Sequence, residues 1–124
     1  MEEDLQQTIA GGRLRWYRTW IENGREVATE DGVELPPPEL RRRLLDRDGT
    51  WELFVPGAKP AVVAHILAPL LELDRRAIVT LLRQRPGVAY VGTNHEVEWL
   101  HRALTVAGIA SEKRRAENTV TGQP

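Results

Sequence analysis

Three consecutive prolines, Pro36-Pro37-Pro38, constrain this chain more than any other stretch. Each ring fixes φ near −65° and removes a backbone donor, so the run suits neither a helix interior nor a central strand. It reads as a stiff extended connector. Pro38 also suits the first turn of a helix, where the missing N–H is one that a helix start leaves unpaired anyway. The ELRRRLL segment continues that helix, and DRDG at 46–49 ends it.

Before the prolines, RLRWYRTWI at 13–21 is rich in aromatic and β-branched side chains and reads as a strand. Asn23-Gly24 follows, a two-residue hairpin signal because both positions tolerate positive φ. REVATE at 25–30 is then the returning strand, and Asp31-Gly32 marks another turn. Residues 1–12 are acidic and polar and end in Gly11-Gly12, so a flexible lead-in is expected there. The unit at 13–49 is thus a β-hairpin and a short helix.

A second unit spans 50–114. TWELFV at 50–55 alternates as a short strand and stops at Pro56-Gly57. From Pro60, apolar residues recur at three- and four-residue spacing through Val62, Val63, Ile66, Leu67, Leu70 and Leu71. Pro69 is expected to end or kink that helix near Ala68. Asp74 is a good N-cap for a helix over 75–85, with Ala77, Ile78, Leu81 and Leu82 inward and Arg75, Arg76 and Arg83 outward. Pro86-Gly87 stops it, and VAYVG at 88–92 is a strand. Thr93 or Asn94 caps a third helix, with Val97, Leu100, Leu104 and Ala107 on one face, and Gly108 ends it. A last strand is expected at 109–114, then a disordered tail over 115–124. The fold class is α+β: an N-terminal hairpin and helix, then a β-α-α-β-α-β unit.

Four stretches of the second unit, KPAVVAHI, LELDRRAIVTLL, RPGVAYVG and EVEWLHRALTVAGIASE, resemble two families. One is the C-terminal domain of the bacterial ribosomal stalk protein. The other is the adaptor that feeds substrates to the Clp protease, a ClpS-like fold. The resemblance covers about half the chain. It implies a small α/β module whose helical face binds protein. Lys59 matches the stalk family's opening lysine, but Ala64 and Leu67 stand where its basic contacts usually lie. Tyr90, Val91 and Gly92 are similar to the Clp adaptor's second strand, without the acidic pair that holds a substrate's amino terminus.

Composition narrows the chemistry. A net charge of −1 gives no global attraction to nucleic acid or an acidic membrane. The absence of Cys removes disulfides, thiolate nucleophiles and Cys-based zinc sites together. The N-terminus resembles neither a signal nor a transit peptide, and no apolar run approaches the roughly 20 residues of a membrane helix, so a cytoplasmic protein without a membrane partner is expected. His65, His95 and His101 have no metal-ligand spacing, and Ser111, the sole Ser, lacks a nucleophile elbow. We therefore expect no catalysis, no metal and no cofactor.

The expected function is a non-enzymatic adaptor or regulator. Its partner-binding face is the first two helices of the second unit, with Val63, Leu67 and Leu71 as apolar anchors and Arg75, Arg76 and Arg83 as charged contacts. The alternative is an RNA-binding module on the basic-aromatic strand, using Arg13, Arg15, Tyr17 and Arg18 with Arg41, Arg42 and Arg43. An edge strand at 13–21 or 109–114 offers a route to a homodimer.

Overall fold

The structure, a computed structural model, describes residues 1–116 of the 124. Ten elements follow in order: β1 (Glu2–Ala10), β2 (Arg13–Glu22), β3 (Arg25–Val33), α1 (Pro38–Asp48), β4 (Trp51–Phe54), α2 (Pro60–Leu71), α3 (Arg75–Gln84), β5 (Val88–Gly92), α4 (Asn94–Val106) and β6 (Glu112–Arg115). The class is α+β, with two antiparallel three-stranded sheets.

The first sheet is a meander in the order β1-β2-β3. Asn23-Gly24 makes the expected tight turn, with φ of 54° and 75°. Gly11-Gly12 makes a second one, with φ of 60° and 76°. Residues 1–12 are therefore not a flexible lead-in: β1 pairs with β2 along its whole length. Its composition is polar, but alternation puts Leu5 and Gln7 in the interior and Ile9 against the core. Asp31-Gly32 is not a turn either, because β3 runs on to Val33. Gly32 lies opposite Trp16, and a Cβ there would come within 2.5 Å of the Trp16 indole nitrogen. Glycine is needed at that position for close approach.

The proline connector delivers the chain into α1, which has two working stripes. Leu40 and Leu44 pack with Leu5 and Trp16 in a small apolar cluster under the first sheet. Pro38, Arg41, Arg42 and Leu45, spaced at three and four residues, face the second unit instead.

That unit is β-α-α-β-α-β, with its sheet in the order β5-β4-β6. Leu53 of β4 and Val63, Leu67, Leu100 and Leu104 of the helices are fully enclosed in the main core. α2 does not stop at Ala68; it continues through Pro69 to Leu71. Pro69 sits exposed in the last turn, where its missing donor deprives only one carbonyl. Glu72 then closes the helix in a left-handed conformation, its N–H bonded to the Ala68 carbonyl. Asp74 caps α3 by accepting from Arg76 N at 3.1 Å. α4 packs on β4, β5 and β6 and also touches β1 and β2, so it is the element the two sheets share. Trp99 fixes that joint by donating its indole N–H to the Gly12 carbonyl at 3.2 Å. Leu14 of β2 is fully buried in the same core.

Two expectations about edges change. β2 is the central strand of its sheet, so 13–21 offers no free edge for a homodimer. The last strand lies at the edge of its sheet but begins at Glu112 and reaches Arg115. The remaining tail residues, 117–124, lie outside the described part. Among the described residues no helix is long and apolar enough to cross a membrane.

Candidate functional site

The three outward arginines of α3 converge on one groove. Arg75, Arg76 and Arg83 line a cavity of about 460 Å³ between α2 and α3, together with Ala61, Ala64, Val79 and Thr80. Small side chains on α2 let the two helices approach while leaving a shallow apolar floor. None of the three guanidiniums has a carboxylate within ion-pair distance among the described residues. No acidic side chain lines the groove. Elsewhere the basic residues are mostly neutralised: Arg18 and Arg43 share Glu3, Arg85 and Arg114 share Glu52, and Arg102 and Lys113 share Glu98.

The apolar anchors expected on this face are not on it. Val63 and Leu67 have no exposed surface and Leu71 has 4%. The apolar side of α2 is wider than one stripe, and its inner part packs against the sheet and α4 rather than facing out. Val62, 45% exposed, is the large apolar residue that α2 does present.

The residues of the basic-aromatic alternative are not brought together. Arg13, Arg15 and Tyr17 lie on the outer face of the first sheet, where Asp4, Asp31 and Glu2 share the same side. Arg13 pairs with Glu34 at 3.5 Å. Arg18 points the other way, bonded to Glu3 at 2.5 Å and stacked over Trp20 at 4.8 Å. Arg43 is also held by Glu3, and Arg41 by Glu96.

Arg41 belongs to a polar centre that the sequence reading missed. The Glu96 carboxylate is fully buried. It accepts from Arg41 Nε at 3.0 Å, from Tyr90 OH at 2.9 Å and from Thr93 N at 3.1 Å. Thr93 Oγ1 in turn accepts from Glu96 N and donates to Gln7 Oε1 at 2.5 Å. Burial, with the Glu96 charge beside it, pushes the Tyr90 phenol well above its ordinary range, so it stays a donor. The centre thus joins β1, α1, β5 and α4. The legible part was the Thr93-x-x-Glu96 capping box, formed here in both directions. Its long-range partners carried no local signal.

Ser111 Oγ lies 2.6 Å from His101 Nδ1. Among the described residues no carboxylate pairs with that imidazole, so the two lack the orienting acid of a hydrolytic triad. Among those residues no group of three or more His, Asp or Glu side chains is placed to hold a metal. No family model, curated protein or solved structure matches this chain.

Proposed function

We propose that this protein is a small non-enzymatic adaptor or regulator that binds another protein through the groove between α2 and α3. The observation that supports this reading most is the gathering of three uncompensated guanidiniums over an apolar floor. Exposed arginines that lack internal acids favour a partner carrying carboxylates. Long-range attraction among such charges raises the association rate, and the small apolar floor supplies contact area. The resemblance to the stalk and Clp-adaptor families supports a protein partner, and a cytoplasmic location belongs to the same reading.

The test is capture of proteins from the native lysate after nuclease treatment, using wild-type chain and the triple variant Arg75→Glu, Arg76→Glu, Arg83→Glu. All three side chains are exposed, so the fold should survive. We expect one near-stoichiometric protein with the wild type, lost with the variant and weakened by salt. Equal capture by both proteins would sink the reading.

A further inference from the structure

A second groove lies where α1 meets the C-terminal unit, and the reading above makes no use of it. Its volume is about 530 Å³, within the roughly 300–1,000 Å³ of ligand pockets. It exists because the second sheet ends at β5 on this side, and the proline connector and α1 stand beside that edge without covering it. Leu45, Leu73 and Leu81 wall it, and the buried Tyr90 contributes its floor. Leu73 is 47% exposed, so part of this apolar wall is open to solvent.

The charge in this groove is one-sided. Arg41 and Arg42 line it and no carboxylate does. Arg41 is balanced by Glu96 at 3.0 Å. Arg42 is exposed and has no acidic partner among the described residues. Glu39 and Asp46, one turn to either side of Arg42 on α1, do not line the groove, and Glu39 exerts its charge on Arg18 of the first sheet. The site therefore offers one uncompensated positive charge within otherwise apolar walls. Its complement is a ligand with a single negative charge at the end of an apolar body.

We propose that this groove binds the carboxyl terminus of a peptide whose last residues are apolar. The terminal carboxylate pairs with Arg42, and the last side chains lie against Leu45, Leu73 and Leu81. An acidic helix fits less well, because its further carboxylates would be desolvated on leucine. The groove is open to solvent, which suits a peptide that keeps its backbone partly in water.

Fluorescence anisotropy on the full chain tests this, with dye-labelled Gly-Ser-Ser-Gly-Leu-Leu as free carboxylate and as carboxamide. We expect the carboxylate to bind about tenfold more tightly than the amide, a difference set by one charge-assisted contact. Arg42→Glu should abolish that preference, and Leu73→Ser should weaken both peptides. Both side chains are at the surface, and circular dichroism would check that each variant is folded. The double variant Arg76→Glu, Arg83→Glu should keep the preference, which separates this site from the α2–α3 groove. Equal affinity for acid and amide, no binding of either peptide up to ~1 mM, a preference that survives Arg42→Glu, or one lost in the Arg76/Arg83 variant would each overturn the proposal.

Discussion

At the residue scale, Glu96 carries the largest single commitment in the molecule. A fully buried carboxylate is tolerable only when its charge is paired and its lone pairs are occupied. Arg41, Tyr90 and the Thr93 N–H meet that demand. Removing one side of such a pair strands the other. Arg41→Ala should therefore destabilise the fold by about 3–5 kcal/mol. Arg42→Ala, one residue along but exposed, should change it by about 0.5 kcal/mol or less. Urea denaturation of both variants checks the contrast, and equal effects would contradict it. Gly92 is tied to the same centre. A Cβ there would collide with the Glu96 carboxylate and the Tyr90 ring and lie 2.8 Å from Arg41 Nη2. Gly92→Ala should accordingly cost about 1–3 kcal/mol through overpacking.

At the element scale, β1 and α2 show how context decides what a segment does. EEDLQQTIA has few apolar residues, yet β2 gives it a full ladder and the core takes Leu5 and Ile9. A chain beginning at Gly11 would lose that strand, and with it the Thr93–Gln7 contact, and would uncover Trp16. We expect its thermal midpoint, followed by circular dichroism, to fall by more than about 10 °C, since several kcal/mol of burial disappear. An unchanged midpoint would mean that β1 contributes nothing to stability. In α2, Leu67→Ala should cost about 2–5 kcal/mol with no partner present, as expected of a core residue rather than a contact.

At the scale of the whole molecule, the two sheets are joined by α4, and ion pairs inside each unit displace the titration of their carboxylates. Hydrogen bonds from Arg43 and then Arg18 hold Glu3 below its ordinary 4.5, and Arg102 with Lys113 does the same for Glu98. A carboxylate with a depressed folded-state pKa contributes stability that is complete above the ordinary value and is lost as pH falls through the folded one. Partial burial, aided by the Lys113 charge, lowers His95 from 6.5. The folded state thus resists its protonation, and that loss also proceeds downward, beginning near pH 6.5. The thermal midpoint should fall on acidification from pH 7 to pH 3. Glu98→Gln should flatten the limb below 4.5. A midpoint that rises as pH falls would contradict the sign.

Prolines, glycines and hydrophobic spacing determined, without help, the order of elements from 51 to 115, the Asn23-Gly24 hairpin and the α+β class. Those signals are local: a ring that fixes φ, a turn that needs positive φ, a stripe repeating every three or four residues. They also placed Arg75, Arg76 and Arg83 together, because about two turns of a helix bring those positions back onto one side. Only the tertiary structure decided that 1–12 holds a strand, that β2 is central, and that Val63, Leu67 and Leu71 face inward. Only it could match Glu96 with Arg41, 55 residues away. Which strand pairs with which, and which side of an apolar helix is covered, depend on contacts between distant segments. No local propensity carries that information.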